Sequence, residues 1–438
     1  MSPLPRTAPA ASPTPEPDAP PAWSFLKRTA FRFLFCYWLL YNCGGDGRSA
    51  LPFPFSGLWV ELGHAVSTWA AIHLFHLSGP VTVWRPTGSG DTALHYIQNL
   101  WILAAAGLAW LIWTALDRGR GDYYPILHRW LRVLLRYTLA MTLFDYGLIK
   151  VFPMQFRPPE PAALAQPIGE LSLHGMLWTF MGASMSYTIL CGVAEVIAGA
   201  LLISRRTTPL GALLSLGVLG NIVALNFCYD TAVKLYSSNL FLMAAFLVLG
   251  DWRRLAGVLL FNRPSAAAPL QPLFQARWLR IIAAVARCLF IGWMVVRASQ
   301  LYQDYRSVAH PADPAPVLYG VWEVERYARN GTDLAASTNS APRWRTLKAA
   351  SFGVVWAVRT DGSTLRYTAE YGPKRVVLRD SDGGGKRLVL GYSQPSASQL
   401  VLRHMDENEP LEIQLRRVPV PTRLIEWRLH WVKPYGWE

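Results

Sequence analysis

The chain has 438 residues, of which 52% are hydrophobic and only 16% are charged. Soluble proteins average about 25% charged residues, so the composition argues against an ordinary soluble enzyme and indicates a membrane protein. The 42 basic and 28 acidic side chains give a net charge of +14. Much of this excess falls in short loops on one side of the predicted spans, which is the positive-inside pattern and not a nucleic-acid-binding face. We therefore expect the lipid bilayer as a partner and no nucleic acid.

The first 130 residues hold a tail and the first membrane segments. Residues 1–22 are rich in Pro and Ala and predict a disordered tail. Residues 23–43 place basic residues before the apolar FLFCYWLLY and predict a first span with a cytoplasmic N-terminus. In the rest of the segment 23–130, the helical pattern of residues 58–77 predicts an interfacial or re-entrant helix on the outer side. An eighth crossing is the alternative, which the following arginines disfavour.

Six further spans are predicted by long apolar stretches. They are 92–116, 131–152, 187–204, 208–227, one that ends at Leu249, and 279–296 within the segment 277–300. Asp91 is the predicted N-cap of the span 92–116, and Thr208 and Pro209 start the span 208–227. A short apolar helix, 173–181, precedes the fourth span, and an amphipathic segment, 251–263, follows the sixth. The prediction is a bundle over 131–263, a linker over 264–276 and about seven crossings.

The basic residues of the loops predict the orientation of these spans. One side collects Arg118, Arg120, Arg129, Arg205, Arg206, Arg253, Arg254 and Arg263. Because basic loops stay in the cytoplasm, this alternation predicts a multi-pass protein of the bacterial inner membrane with an extracytoplasmic C-terminal domain.

The C-terminal segment 317–438 predicts an all-β domain. Its strand candidates are VWEVERY, FGVVWAV, TLRYTAEY, KRVVLRD, RLVLGYS, SQLVLRH, LEIQLRRV and WRLHWV, separated by NG, DG and SDGGG turn signals. About eight antiparallel strands suit a small closed barrel, with a sandwich as the rival and with either a ligand cavity or a filled interior. Gly320, Trp322 and the late Arg428 resemble the lipocalin-type arrangement of an early Trp against a late Arg.

Polar and ionisable side chains recur in spans that should face one another. Glu195 lies near the middle of span 187–204, where an uncompensated charge costs at least about 2.5–3.5 kcal/mol. Gly192 and Gly199 would let neighbouring helices approach closely. The predicted proton-exchanging residues are Glu195 and Asp145. The predicted ligand-binding residues are Tyr146, Lys150, Gln155, Asn226, Asp230, Lys234, Tyr236 and Arg287.

Several of these residues have a structural alternative. Glu195 and Arg287 both lie near mid-depth, so a buried ion pair that fixes helix register is as well supported as a functional pocket. Asp230 and Lys234 lie near the surface, where a solvated pair is expected. His73 and His76 share a helix face, but we predict no metal site, because amphipathic interfacial histidines account for the pattern.

Residues 136–263 resemble the DoxX family of four-helix membrane proteins. The resemblance rests on DYGLIKVFPMQF (145–156), LWTFMGAS (177–184), GVAEVIAGALLISRRTTPLGALL (192–214) and NFCYDTAVKLYSS (226–238). The wider layout is similar to a longer bacterial branch of that family. The family takes its name from a subunit of a thiosulfate:quinone oxidoreductase, so the resemblance implies a quinone-facing role and a redox partner protein. Lys150, Gln155, Glu195, Asp230, Lys234 and Tyr236 match positions of the family motifs.

Two functional hypotheses follow. In the first, the bundle binds a small lipophilic molecule, with quinone as the candidate cofactor, and supports a membrane redox process as a subunit of a quinone-linked oxidoreductase. In the second, the protein is a non-enzymatic sensor or assembly factor whose outer β domain binds a periplasmic ligand or partner.

Overall fold

The computed structural model describes residues 23–43, 56–84, 89–117, 124–265, 274–309, 315–329, 331–333, 342–381, 387–404 and 410–425. The chain divides into two compact units, Met1–Thr138 and Leu139–Glu438. The predicted tail 1–22 and most of the linker 264–276 lie outside the described residues.

The described part of the first unit is helical. It contains α1 (Phe25–Cys43), α2 (Ser56–His73), α3 (Ala93–Leu116) and the first half of α4 (Pro125–Val151). Helix α3 packs against both α1 and α2. Thr92, and not the predicted Asp91, occupies the N-cap of α3, and its hydroxyl lies 2.6 Å from Nδ1 of His95. Asp91 lies one residue too early to reach the free N–H groups of the first turn.

Arg32 joins three segments of the first unit through its buried guanidinium. Its Nη2 lies 2.8 Å from the Asp117 carboxylate at the end of α3, and its Nε donates to the Tyr124 hydroxyl at 2.9 Å. Tyr124 in turn donates to Asp117. Because each charged group has an opposite charge or a hydrogen-bond partner, the desolvation penalty of burying this arginine in the first half of α1 is offset.

The second unit continues with the rest of α4 and seven more helices. They are α5 (Pro161–Leu164), α6 (Leu173–Ala183), α7 (Met185–Ile203), α8 (Thr208–Cys228), α9 (Lys234–Gly250), α10 (Trp252–Leu259) and α11 (Arg277–Ala309). Helix α8 packs between α7 and α9. Ser184 ends α6 and caps α7 by accepting from the Tyr187 N–H at 3.4 Å. Thr207, one residue before the predicted Thr208, is the N-cap of α8.

Four of the described helices are long and apolar enough to cross a membrane: α3, α7, α8 and α11. Helix α9 is apolar but has 17 residues. Helices α1 and α4 have sufficient length but carry several charged residues. The described residues up to 309 are thus largely helical and include four candidate membrane spans, as a membrane protein would have, and the seven crossings and the placement of α2 stay predictions.

The C-terminal part is a closed antiparallel barrel. Its strands are β1 (Gly320–Arg329), β2 (Thr332–Asp333), β3 (Trp344–Ala349), β4 (Val354–Arg359), β5 (Thr364–Gly372), β6 (Arg375–Asp380), β7 (Arg387–Ser396), β8 (Gln399–His404) and β9 (Leu411–Arg417). From β3 onward each strand pairs with the next, and β1 pairs with both β3 and β9, which closes the sheet. The two-residue β2 pairs only with the end of β1. The predicted barrel is confirmed, and the sandwich is excluded.

One strand differs from the prediction. The strand WRTLKA, β3, was not predicted, whereas the candidate WRLHWV lies outside the described residues. A bulge between Trp344 and Thr346 shifts the register of β3. The buried positions are therefore 344, 347 and 349, which do not follow a simple alternation of two.

Apolar side chains fill the described interior of the barrel. The largest is Trp322, whose indole N–H donates to the Leu318 carbonyl at 2.8 Å. The Arg417 guanidinium lies 5.6 Å from the centroid of the Trp322 ring. An early Trp against a late Arg is thus present, but the arginine is Arg417 at the end of β9. The predicted Arg428 lies outside the described residues.

The barrel contacts the segment that follows α4. The backbone N–H of Ser351, in the β3–β4 turn, donates to a carboxylate oxygen of Glu160 at 2.9 Å, and the Ser351 hydroxyl donates to the other oxygen. Lys348 on β3 also donates to the Ala165 carbonyl at 3.5 Å. The end of the barrel that carries the β3–β4 turn therefore faces this segment.

Candidate functional site

Helices α4 and α7 cross at two points where glycine allows their backbones to touch. A Cβ atom added to Gly192 would lie 2.5 Å from the Gly147 carbonyl oxygen, and one added to Gly147 would lie 2.8 Å from the Gly192 carbonyl oxygen. One added to Gly199 would lie 2.8 Å from the Ala140 carbonyl oxygen. Both contacts need a residue without a side chain, as in other close crossings of membrane helices. Along α4 the order of the two contacts is Ala140 and then Gly147, whereas along α7 their partners come in the reverse order, Gly192 before Gly199. The helices are therefore antiparallel, and the equal separation of seven residues on each helix gives a fixed register.

The Gly147–Gly192 crossing brings the side chains of Lys150 and Glu195 together, because side chains on a helix tilt toward its N-terminus and both therefore point back to the crossing. Each residue lies three positions after the glycine of the crossing, Gly147 on α4 and Gly192 on α7. The Lys150 ammonium donates to Oε2 of Glu195 at 2.9 Å, and the two residues are only 7% and 2% exposed. An ion pair so far from water is stable only while both members are present, since either alone would leave an unpaired buried charge. The structure therefore pairs Glu195 with Lys150 and not with the predicted Arg287.

Arg287, the predicted alternative partner, does not reach the site. It is exposed on α11, and no contact joins it to Glu195. Another arginine of the same helix takes part: Arg297 donates from Nε to Asp145 on α4 at 3.1 Å. Tyr302 of α11 also packs on Phe152, with ring centroids 5.6 Å apart. The C-terminal half of α11 therefore contacts α4, which pairs Asp145 and leaves Arg287 outside the cluster.

A row of polar side chains runs along α4 at one-turn spacing, through Thr142, Tyr146 and Lys150. Lys150 also donates to the Tyr146 carbonyl at 3.3 Å and lies 5.7 Å from the centroid of its ring. The Tyr236 ring from α9 lies 6.3 Å from the Tyr146 ring, and its hydroxyl is 3.3 Å from that of Thr142. Tyr146, Lys150, Glu195 and Tyr236 therefore come together as predicted, in a polar cluster of the second unit.

The hydrogen-bonding capacity of this cluster is not exhausted. An ammonium group has three N–H donors, and an ionised carboxylate accepts through both oxygens. Among the described residues, Lys150 uses two donors, on Oε2 of Glu195 and on the Tyr146 carbonyl, and Oε1 of Glu195 accepts no bond. Tyr146, which borders the pair, is 40% exposed. The ion pair therefore retains a donor and an acceptor at a place that the exposed Tyr146 ring borders.

The remaining predicted residues lie around the α8–α9 turn and in the segment after α4. The buried Asn226 amide donates to the Ser237 hydroxyl at 2.9 Å and joins α8 to α9. Lys234 donates to Asp230 at 2.7 Å, with the Asp230 side chain 81% exposed, so this pair is the solvated one that was predicted. Its hydrogen bond and charge lower the pKa of Asp230 below the usual aspartate value. Gln155 has a buried Oε1 atom without a hydrogen-bond partner among the described residues.

Two elements of the site escaped the sequence prediction. Arg297 lies ten residues after Arg287 on α11, and the sequence favours Arg287 because it lies deeper in the apolar segment. Gly147 belongs to the motif DYGLIKVFPMQF, and its close approach to α7 depends on the opposing Gly192. The matching spacing of Gly147 to Lys150 and of Gly192 to Glu195 was the signal that could have predicted the pair.

Within the described ranges, no group of three or more His, Cys, Asp or Glu side chains could hold a metal ion. His73 stacks on Trp69 with ring centroids 5.2 Å apart. The five cysteines are all free thiols.

Comparison with known proteins places the chain in a family without assigning it a function. No protein-family model and no solved structure match it. It is 35% identical over 123 residues to the uncharacterized protein YwoB of Bacillus subtilis strain 168, a match that covers 28% of this chain and 78% of YwoB. The chain therefore belongs to the same family as YwoB.

Proposed function

We propose that the helical bundle binds a small lipophilic carbonyl compound of the quinone class and supports a membrane redox process, as the resemblance to DoxX proteins implies. The observation that carries the proposal is the Lys150–Glu195 pair. It is buried at a glycine crossing, retains a free donor and acceptor, and adjoins the exposed Tyr146.

Each residue of the cluster has a role in this proposal. A quinone supplies two-electron redox chemistry when bound. Lys150 would donate its remaining N–H to a carbonyl oxygen of the ligand, and Glu195 would deliver a proton to that oxygen on reduction of the quinone and take it back on reoxidation. Tyr146 and Tyr236 provide ring faces for a flat ligand. Asp145, paired with Arg297, holds α11 against α4 and lies beside the cluster.

The proposal includes the membrane orientation. The four apolar helices, together with α1, α4 and α9, give seven crossings of a bacterial inner membrane, with the N-terminus inside and the barrel outside. The burial and pairing of Lys150 and Asp145 support a membrane position for α4, since paired charges cost less in the bilayer. Cysteine accessibility tests the orientation in a chain freed of its own cysteines. Thr364→Cys is expected to react with an impermeant reagent from outside, and Arg253→Cys only after permeabilisation. The reverse pattern would refute the orientation.

Quinone binding is tested on the purified full chain. The protein is extracted in mild detergent, its co-purified lipids are analysed for quinone, and the affinity for added ubiquinone-1 is measured. We expect bound quinone in the natural protein and at least tenfold weaker binding in Glu195→Gln. Glu170→Gln, which removes an exposed carboxylate of the same unit, is the control and should bind normally. Absence of bound quinone together with equal affinity in both variants would exclude the proposal.

A further inference from the structure

One end of the barrel carries a half-exposed arginine with a buried Nε atom beside a group of aromatic residues. Trp344 on β3 and Tyr367 on β5 are buried with ring centroids 5.8 Å apart. Tyr327 on β1 interacts electrostatically with Tyr367 and with Arg343, the residue before β3. These four residues, the Arg343 cluster, lie toward the barrel end opposite the Glu160 contact, because Trp344 pairs with Arg359 next to the β4–β5 turn.

Arg343 differs from the paired arginines of the barrel. The Nε atom of Arg343 is buried and has no hydrogen-bond partner. Among the described residues, no carboxylate forms an ion pair with the Arg343 guanidinium. Elsewhere on the barrel, arginines form exposed pairs: Arg326 with Asp333, Arg379 with Glu370, Arg403 with Glu412, and Arg416 with Glu323 and Glu325. A guanidinium donor buried without an acceptor costs free energy, so its presence calls for an acceptor that the described chain does not supply.

The two tyrosines add hydrogen-bonding groups beside Arg343. Burial raises the pKa of Tyr367 to about 12 and also raises the pKa of Tyr327. Both hydroxyls are therefore protonated at neutral pH and can donate, yet neither forms a hydrogen bond with the described residues. The cluster thus presents several donors and one positive charge next to an apolar aromatic wall.

We infer that the Arg343 cluster binds a small amphipathic carboxylate. Its carboxylate would accept from Arg343 and Tyr327 at this end of the barrel, and its aromatic or alkyl body would lie over the partly buried Tyr327 ring, which packs against the core that contains Trp344 and Tyr367. The inference is independent of quinone binding in the bundle, since it concerns only residues of the barrel.

The test uses the full chain in nanodiscs, with empty nanodiscs as the blank. The probe is 4-phenylbutanoate, with the neutral 4-phenylbutan-1-ol as its match, and binding is measured by ligand-observed NMR titration. We expect the carboxylate to bind at least tenfold more tightly than the alcohol. Arg343→Gln should remove that preference, and Arg343→Lys should retain part of it. Arg345→Gln, which removes an exposed arginine two residues along the same strand, should leave binding unchanged.

Two outcomes would overturn the inference. One is carboxylate binding no stronger than to empty nanodiscs. The other is an equal effect of Arg343→Gln and Arg345→Gln. Thermal unfolding of the probe-free variants provides a separate measurement: removing an unpaired buried donor should leave the barrel at least as stable as before. A large loss of stability in Arg343→Gln would assign a structural role to Arg343 and also contradict the inference.

Discussion

The bundle and the barrel differ in where their charge pairs lie. In the second-unit helices, buried charges are paired, as in Lys150 with Glu195 and, less deeply, Asp145 with Arg297. In the barrel the charge pairs lie outside, whereas Arg343 Nε and the Tyr371 hydroxyl are buried without partners. The contrast separates polar groups that the fold needs from groups that it tolerates. Removing one member of a bundle pair should destabilise the protein, and removing an unpaired barrel group should not.

The largest effect is expected at the ion pair. Lys150→Met leaves Glu195 buried without its partner and should destabilise the bundle by about 3–5 kcal/mol, the usual result of breaking a buried pair. The double variant Lys150→Met with Glu195→Met should recover most of this loss, because replacing both charges by apolar groups removes the desolvation cost. Unfolding in detergent micelles measures both effects.

Lys234→Met is the matched control, since it breaks an exposed lysine–carboxylate pair of the same unit and should change stability little. If Lys150→Met behaved like Lys234→Met, the bundle would not depend on its pair, and the contrast between the two regions would fail.

A substitution at the glycine crossing of α4 and α7 should have a smaller effect on stability. Gly192→Ala places a Cβ atom 2.5 Å from the Gly147 carbonyl oxygen, so the helices must separate. We expect a loss of about 1–3 kcal/mol, as for other overpacked sites. Gly217→Ala on α8, where a Cβ would meet nothing within 4 Å, should be neutral or slightly stabilising. Equal stability of the two variants would show that the crossing does not fix the register.

These residues also show how far the sequence predicts the structure. Long apolar stretches predicted the α7 and α8 boundaries to within two residues, because burial in lipid requires a continuous apolar segment. The partner of Glu195 was predicted wrongly because depth along a span suggested Arg287. Contact depends instead on which helix faces approach, and that is determined by Gly147 and Gly192. The strand β3 was missed because its bulge removes the alternation on which strand prediction depends.

In the barrel we expect a substitution that increases stability. Tyr371→Phe removes a buried hydroxyl that has no hydrogen-bond partner and keeps the ring in place. The barrel should become more stable by about 1 kcal/mol, since an unsatisfied buried group costs this much or more. Thermal unfolding followed by the β-sheet circular dichroism signal tests this. A loss of more than about 1 kcal/mol would show that the hydroxyl has a structural partner.

The smallest effect on stability is expected at the contact between the barrel and the segment after α4. Glu160→Gln weakens the charge-assisted bonds to Ser351 and should cost about 1 kcal/mol or less at this exposed position. The effect of Glu160→Gln should appear in the distance between the barrel and the helices. Spin labels on Thr364→Cys and Arg253→Cys should give a broader distance distribution in the variant. Glu170→Gln is the control, and an unchanged distribution in Glu160→Gln would show that the contact does not orient the barrel.

The Glu160–Ser351 contact has a geometric consequence for the barrel. The polypeptide attaches the barrel to α11, and the hydrogen bonds of Ser351 and Lys348 attach it a second time, to the segment after α4. A body held at one point can swivel in every direction, whereas a second attachment restricts that rotation. Weakening the Glu160 carboxylate contact should therefore widen the range of orientations that the barrel samples.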